Sequence, residues 1–311
     1  KLESIEKALN QAGIEITVMA RDVEKWGEAY IPEGKALMRD YAFPAMKRCD
    51  CNIIEFSEKG VGLGMNCGYC YCAGKPIYVI AKTGSDISTT MANVATEVIF
   101  YDDPQDLVEP FTRIAKNFPR VILASKSAIR KQQLIDASIP FEVVVSNADE
   151  TPDENKTFRD QLAEISMRKA QTVLEATKDR GLRLIVAADQ NMVFDGIMYG
   201  KPKTIEEARE LITCMRGTEE VYAYTGNAVL LVEGDKILQS VNITDVARLS
   251  VDNISDEKLE EYLAKGDCLS YCGGISVSQC DFVHLKEGRM STARGMTLEY
   301  TQDLMPNLTI R

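Results

Sequence analysis

The first third of the chain alternates between segments with the helical spacing of apolar residues and short apolar segments typical of strands. Residues 1–14 show the helical spacing, and Gly13 is a suitable C-terminal stop. The further predicted elements are strand 14–19, helix 34–47, strand 50–56, helix 65–73, strand 75–81, helix 86–95, strand 97–101 and helix 104–117. This alternation predicts an α/β fold with a doubly wound, flavodoxin-like parallel sheet.

The second part of the chain begins with an apolar strand over residues 121–124, followed by a polar turn and a helix that runs to about Ala137. A strand over residues 140–146 leads to an acidic turn and then to another helix. The next apolar run ends in small residues and delivers Asp189, which we predict to lie at the end of a buried strand. A short apolar segment follows, with Gly196 as its predicted turn.

Pro119 ends the last helix of the first part, because proline cannot continue a helix. We therefore predict a domain boundary at residues 117–119 and two domains, 1–118 and 119–311. The chain has 311 residues, of which 45% are hydrophobic and 27% are charged, and this is enough to build two cores.

The net charge of −11 argues against binding to a nucleic-acid polymer, because an acidic surface repels phosphate backbones. No apolar run approaches the roughly 20 residues that span a bilayer, so no membrane partner is expected. Nine cysteines, an odd number, favour reduced thiols and a cytoplasmic location. The cysteines at positions 67, 70 and 72 leave zinc as a weak alternative, since their spacing matches no common zinc site.

Two segments carry candidate chemistry. A strand that ends in a carboxylate is a common way to hold a metal or a general base, although Asp189 could equally be a solvated end of a core strand. Ser125 and Ser127 can cap the helix that follows them, which leaves its N-terminal amides, with Lys126 and Arg130 beside them, as an anion site. The alternative is an ordinary helix cap with solvated basic residues.

Residues 62–76 (Gly-Leu-Gly-Met-Asn-Cys-Gly-Tyr-Cys-Tyr-Cys-Ala-Gly-Lys-Pro) resemble the nucleoside 2-deoxyribosyltransferase superfamily, whose phrase is roughly Gly-x-Gly-x-Glu-x-Gly-x-Ala before Gly-Lys-Pro. Asp50 matches an aspartate of that family. The nucleophilic glutamate of the family falls on Asn66, which cannot form a covalent sugar intermediate. The family's first strand and its Gly-rich loop would lie before Lys1, so we expect the domain to lack them. We therefore expect a non-catalytic, nucleotide-binding or dimerising domain, with N-glycosidase activity as an alternative. The glycines at 60–64 are predicted to form a loop.

The second half resembles the Maf family of nucleoside triphosphate pyrophosphatases over residues 121–308. Six phrases occur in the family's order: Leu-Ala-Ser125-x-Ser127-x-x-Arg130, Asp149-Glu150-Thr151-Pro152, Lys169-Ala170, Ala188-Asp189-Gln190, Gly200-Lys201-Pro202 and Tyr224-Thr225-Gly226. The resemblance implies a mixed α/β, ITPase-like domain that hydrolyses a nucleoside triphosphate to the monophosphate and pyrophosphate.

The resemblance also implies roles for particular residues. The catalytic residues would be Asp189, Glu150 and Lys169. Glu150 and Asp189 would hold Mg²⁺ or Mn²⁺ through hard oxygen ligands, and Asp189 would orient or deprotonate the attacking water. The phosphates would be bound by Ser125, Ser127, Arg130, Lys169 and Lys201.

Selection of the base is implied for Gln190, Ile129 and a third position. Gln190, where many members have threonine, and Ile129 resemble the branch associated with 7-methyl-GTP. The third position falls on Ser278 or, with a shift of one residue, on Gln279. The only histidine, His284, is expected to be a packing or surface residue.

The leading hypothesis is a metal-dependent pyrophosphatase that clears modified nucleoside triphosphates, with a homodimer as a further possibility. The contrasting hypothesis is a nucleotide-binding or scaffold protein that has lost turnover. Asn66 favours the second hypothesis for the N-terminal domain, whereas Glu150, Lys169 and Asp189 favour the first for the C-terminal domain.

Overall fold

A computed structural model describes residues 2–304 and divides them into two compact units. Unit 1 comprises residues up to Pro119 together with Ser138–Pro140, and unit 2 comprises Arg120–Ala137 with the chain from Phe141 to Leu304. Lys1 and residues 305–311, which belong to the predicted domains, lie outside the described residues. No helix within residues 2–304 is long and apolar enough to cross a membrane.

Unit 1 is built on a parallel sheet of three strands in the order β1-β2-β3. Its strands are β1 (Asn52–Glu55), β2 (Ile77–Lys82) and β3 (Glu97–Tyr101). Its helices are α1 (Leu2–Gln11), α2 (Phe43–Arg48), α3 (Val61–Cys72), α4 (Thr89–Val94) and α5 (Val108–Ala115), with short π- or 3-10-helical turns at Met19–Val23, Lys25–Gly27, Met38–Ala42 and Pro104–Leu107. One apolar core joins α1 and α5 to the sheet, and a second joins α2, α3 and α4 to it.

Unit 2 contains a mixed sheet of seven strands in the order β10-β9-β8-β6-β4-β5, with β7 paired to β6. The strands are β4 (Arg120–Leu123), β5 (Phe141–Val143), β6 (Arg183–Phe194), β7 (Ile197–Tyr199), β8 (Val221–Glu233), β9 (Lys236–Val251) and β10 (Val283–Glu287). The helices are α6 (Ala128–Asp136), α7 (Phe158–Ala176), α8 (Ile205–Met215), α9 (Asp256–Leu263), α10 (Met290–Ala293) and α11 (Glu299–Asp303), with 3-10 turns at Asp267–Ser270 and Cys272–Gly274. The predicted α/β class is confirmed for both units.

The predicted strand at residues 14–19 is wrong. Ile14, Ile16 and Val18 are half-buried and alternate with exposed residues, as the pattern indicated, but the segment pairs with none of the strands described between residues 2 and 304. It continues into the π-helical turn Met19–Val23, and Asp22 Oδ2 accepts a hydrogen bond from Val18 N at 2.7 Å. The alternation therefore reports a half-buried extended chain rather than a position in a sheet.

The predicted loop at residues 60–64 is also wrong, because α3 begins at Val61. Leu63 is half-buried, and Cys67 and Cys70 are fully buried, so the helix turns one stripe towards the core. This packing overrides the low helical propensity of the glycines. The turn predicted at Gly196 is present: Asp195 and Gly196 both have positive φ between β6 and β7, as a tight hairpin requires.

Helix α7 lies across one face of the unit 2 sheet and approaches β8 most closely at Gly226. A Cβ atom at residue 226 would overlap the carbonyl group of Leu162 and lie 2.7 Å from Ser166 Oγ. Since the overlapping group is helix backbone, it cannot move aside as a flexible side chain would. Gly226 is therefore required for this contact.

We expect Gly226→Ala to lower the free energy of unfolding by about 3 kcal/mol, because the added methyl group must displace α7. Urea unfolding followed by circular dichroism measures the change. Gly181→Ala is the matched control, since a Cβ atom there would meet nothing within 4 Å, and it should stay within about 1 kcal/mol of the wild type. Equal stability of the two variants would contradict the close approach of α7 to β8.

Candidate active site

The site lies where strand β6 loses its neighbour on one side. β6 pairs with β8 from Arg183 to Val193, but it pairs with β4 only as far as Val186. On that side the next strand pairing is with β7, at Met192. Asp189 therefore lies in the middle of a continuous strand, not at its end as predicted. It is accessible because β4 stops, which leaves an open stretch of β6 beyond the carboxyl ends of β4 and β5.

The turn between β4 and α6 brings an arginine to this open stretch. Ser127 is the N-cap residue of α6, but its side chain makes no capping hydrogen bond, so the predicted cap is corrected. Ser125 Oγ instead accepts hydrogen bonds from Ser127 N and from Arg130 Nη1, both at 3.2 Å. Arg130 Nε also donates to the Gly295 carbonyl oxygen at 2.7 Å. These contacts hold the guanidinium in place at the start of the helix.

Lys169 on α7 forms the charged centre of the site. Its side chain is only 9% exposed, and its Nζ lies 2.6 Å from Asp189 Oδ1 and 3.1 Å from Glu150 Oε2. Glu150 comes from the chain between β5 and α7, and Asp189 comes from β6. One buried ammonium group thus joins two carboxylates from different parts of unit 2, and the carboxylates supply the partners that a buried cation requires.

Gln190 points to the opposite face of β6 from Asp189. Its Nε2 donates to Thr225 Oγ1 at 3.0 Å and faces the carbonyl oxygens of Thr292 at 3.0 Å and Ala293 at 3.2 Å. Gly295 has a φ of +91°, and a Cβ atom there would lie 3.1 Å from Gln190 Oε1. The amide nitrogen is therefore engaged by the protein, and the amide group has a fixed orientation.

These residues line one cavity of about 480 Å³. It brings together nine of the ten predicted site residues: Ser125, Ser127, Ile129, Arg130, Glu150, Lys169, Asp189, Gln190 and Lys201. The basic side chains in the lining are those of Lys126, Arg130, Lys169, Lys201 and Arg294, whereas the carboxylates are those of Glu150 and Asp189. The cavity is thus locally basic within an acidic protein, which suits an anionic ligand.

The structure does not bring Gln279 to this cavity. Gln279 is exposed in a turn, where its backbone N–H donates to the Ser276 carbonyl oxygen at 3.2 Å. Ser278, the other candidate for the third selection position, is exposed in the same turn, and Ser276 lines the cavity instead. His284 lies on β10 with Nε2 at 2.9 Å from Asp252 Oδ2 and does not line the cavity.

Several cavity residues were assigned no role by the sequence analysis, among them Asn147, Tyr271, Cys272 and Arg294. Cys272 directly precedes Gly273, but nothing in its local sequence indicates that it faces Asp189. Its position depends on the 3-10 turns of the loop after α9, which no periodicity predicts.

Cys272 is a buried thiol beside the charged centre, and its Sγ–H donates to the Gln190 carbonyl oxygen at 2.8 Å. Burial and the neighbouring Asp189 carboxylate raise the pKa of this thiol to about 11, although Arg130, Lys201 and Lys169 act in the opposite direction. The thiol is therefore protonated at neutral pH. Burial also lowers the pKa of Arg130, and the negative charges of Asp189 and Glu150 oppose that shift.

Glu150 and Asp189 are the residues of this cavity that suit a divalent metal. Both present oxygen atoms to a common cation, the Lys169 ammonium group, so their geometry and chemistry fit a hard metal ion. Within residues 2–304 there is no group of three or more His, Cys, Asp or Glu side chains that could hold a metal. The donor set therefore fits an ion such as Mg²⁺ that takes one or two protein carboxylates and completes its shell with phosphate oxygens and water.

Unit 2 is thus a mixed α/β unit whose cavity carries five basic side chains and two carboxylates, an arrangement that suits a phosphorylated ligand. The chain matches the family of Maf-like proteins over residues 120–308 and belongs to that family. Residues 305–308 of the match lie outside the described residues.

Individual relatives align with the same part of the chain. A nucleoside triphosphate pyrophosphatase of a Synechococcus species is 31% identical over 192 residues, which cover 61% of this chain and 94% of the relative. A 7-methyl-GTP pyrophosphatase of Dictyostelium discoideum is 29% identical and covers 61% of this chain and 97% of its own length. A dTTP/UTP pyrophosphatase of Bdellovibrio bacteriovorus is 27% identical, and the alignment covers 60% of this chain and 97% of the relative.

The protonation state of the Cys272 thiol can be tested by alkylation. We expect iodoacetamide to modify Cys272 much more slowly than the exposed Cys214 at about pH 8, since the thiolate is the reactive form. The rate at Cys272 should rise roughly tenfold per pH unit up to about pH 10, because its pKa is about 11. Peptide mass spectrometry measures both sites, and Cys214→Ser identifies the control peptide. Equal rates at neutral pH would contradict a buried, protonated thiol.

Proposed function

We propose that unit 2 hydrolyses nucleoside triphosphates between the α and β phosphates and releases a monophosphate and pyrophosphate. The observation that carries this proposal is the Lys169 ammonium group joined to Asp189 and Glu150 within a basic cavity. A triphosphate is strongly anionic and needs cations and a general base at the same place. Membership of the Maf-like family, with relatives named as pyrophosphatases, supports the same activity.

In this mechanism the basic side chains bind and orient the triphosphate. Arg130 can contact two phosphate oxygens at once, whereas Lys126 and Lys201 act as point charges. A water molecule oriented by Asp189 attacks the α phosphorus and gives its proton to the carboxylate. The bond from the α phosphorus to the bridging oxygen breaks, and its electron pair leaves with pyrophosphate. Lys169 and Arg130 stabilise the negative charge that develops on the phosphates.

A divalent metal is part of this proposal. Glu150 and Asp189 would hold Mg²⁺ or Mn²⁺, which would neutralise phosphate charge when it is bound. The support is the convergence of two carboxylates on one cation within the cavity. We also propose a cytoplasmic location, since all nine cysteines are free thiols, as expected in a reducing compartment.

For the substrate class we propose modified purine triphosphates of the 7-methyl-GTP type. Gln190 and Ile129 support this choice through their resemblance to that branch, and both line the cavity. The relatives do not decide it, because their names include dTTP/UTP and 7-methyl-GTP pyrophosphatases. A panel of standard and methylated triphosphates, ranked by kcat/KM, tests the preference. A higher value for dTTP or UTP than for 7-methyl-GTP would reject it.

Replacement of Asp189 tests the activity itself. We expect Asp189→Asn to reduce pyrophosphate release by roughly 10²–10⁴-fold for the best substrate of the panel, because an amide cannot accept the water proton. Asp195→Asn is the matched control: it makes the same change in the hairpin at the end of β6, outside the cavity, where asparagine tolerates the positive φ. Undetectable pyrophosphate from the wild type with every triphosphate and either metal would reject the enzyme and favour the non-catalytic alternative.

For unit 1 we propose a nucleoside 2-deoxyribosyltransferase-like module that binds a nucleotide without cleaving it. Support comes from the parallel sheet with helices on both faces and from Asn66 at the position of the family's nucleophile. Asn66 Oδ1 is buried and accepts no hydrogen bond within the described part of the chain, so its capacity to accept one is unfilled.

We expect Asn66→Glu to release free base from a deoxynucleoside monophosphate, since a carboxylate can form the sugar intermediate that an amide cannot. Chromatography of the free base gives the measurement. The control is Asn10→Glu, which places the same new charge on the exposed side of α1 and should release none. Release of base by the wild type would show that unit 1 is catalytic after all.

A further inference from the structure

Lys169 occupies a position of α7 that faces the protein interior. The buried residues of this helix are Gln161, Leu162, Ile165, Ser166, Lys169, Ala170 and Val173, which form one stripe. A lysine in such a stripe is only slightly exposed, at 9% of its side chain, so its charge is matched mainly by neighbouring groups. Asp189 and Glu150 provide that match at 2.6 and 3.1 Å.

The two carboxylates do not carry enough negative charge to neutralise both Lys169 and a divalent cation. One ammonium group and two carboxylates leave a single net negative charge. A divalent ion between the same carboxylates would reverse the sign, and it would lie within a few ångströms of the buried ammonium group. Repulsion between two cations at such a distance is strengthened because the ammonium group is largely buried, with its side chain only 9% exposed. Arg130 adds to this repulsion, since Asp189 and Glu150 also act on its charge.

We propose that Lys169 is the resident counter-ion of the Glu150–Asp189 pair and keeps a divalent cation out of this site until a triphosphate is bound. The proposal deepens the proposed function and rests on it. In the nucleotide-free protein the lysine holds both carboxylates in position and fulfils the electrostatic role of the metal.

A bound triphosphate makes the net charge around the carboxylate pair negative enough to hold a divalent cation. It brings several negative charges and oxygen ligands into the cavity, and these offer both the metal and the Lys169 ammonium group new partners. The carboxylates can then bind the metal while Lys169 turns to a phosphate oxygen. Metal and nucleotide therefore bind cooperatively, because each lowers the cost of placing the other.

Binding of Mn²⁺ to the nucleotide-free protein tests the proposal without any measurement of activity. Isothermal titration calorimetry and the electron paramagnetic resonance signal of free Mn²⁺ report the affinity. We expect weak binding to the wild type and binding roughly tenfold tighter or more to Lys169→Met, because this variant leaves two carboxylates without a cation. Lys169→Gln provides a second, polar replacement if the methionine variant does not fold.

Two controls separate the local effect from the change in net charge. Lys178→Met removes one positive charge just beyond α7, where the lysine pairs with the exposed Glu175, and should bind Mn²⁺ as weakly as the wild type. The double variant Lys169→Met/Glu150→Gln should lose the gained affinity, which would place the ion at this carboxylate pair. Mn²⁺ bound as tightly by the nucleotide-free wild type as by Lys169→Met would overturn the proposal, and so would unchanged affinity in the double variant.

The cooperative step is tested with the non-hydrolysable α,β-methylene analogue of the best substrate of the wild type. We expect this analogue to increase the Mn²⁺ affinity of the wild type by roughly tenfold or more, and to have a smaller effect on Lys169→Met. An equal effect on both proteins would overturn the proposed role of Lys169. Failure of the proposed function appears differently, as the absence of pyrophosphate release from the wild type.

Discussion

The contact between α7 and β8 at Gly226 fixes the charged centre on which the site depends. Gly226 pairs in register with Asp189 on the neighbouring strand, so the position that must lack a side chain lies directly beside the position that carries the carboxylate. Leu162 touches Gly226, and Lys169 follows Leu162 by two helical turns along the same face of α7. The ammonium group therefore reaches Asp189 because the helix lies close to the sheet, and packing and electrostatics are set by one glycine.

The electrostatic potential around the buried ion pair is set by the other charged side chains of the cavity. The chain carries a net charge of −11, and its surface as a whole repels a triphosphate. Five basic side chains gather in the lining of a single cavity and reverse the potential there. A concave site with low-dielectric walls concentrates that potential, so an anion is attracted to the cavity and not to the rest of the surface. The acidic composition thus favours selectivity for small phosphorylated ligands over nucleic acids.

Sequence reasoning succeeded where a feature depends on neighbours in the chain. The α/β class follows from local periodicity, and the family resemblance named nine residues that the fold gathers into one cavity. Predictions from the sequence failed where the conformation of a segment depends on a partner that is distant in the chain. Residues 14–19 alternate like a strand but pair with none of the described strands, and the glycines after residue 60 become helical because Cys67 and Cys70 pack on the core. Gln279 was placed by a shifted alignment, whereas the turn that exposes it depends on packing of the loop before β10.

The wrong prediction with the largest consequence is the strand end at Asp189. The structure instead separates the proposed catalytic residue Asp189 from the proposed selection residue Gln190. At the end of a strand, a carboxylate and the next side chain would both be exposed at the same place. Asp189 and Gln190 instead lie within a strand and point to opposite faces of the sheet. Asp189 faces α7 and its lysine, whereas Gln190 faces Thr225 and the carbonyl groups of α10. Both reach one cavity only because β4 stops short and leaves this stretch of β6 open. Under the proposed function, a substitution at residue 190 would therefore change one wall of the cavity while the ion pair on the other face keeps its geometry, so that substrate choice could diverge without loss of the reaction.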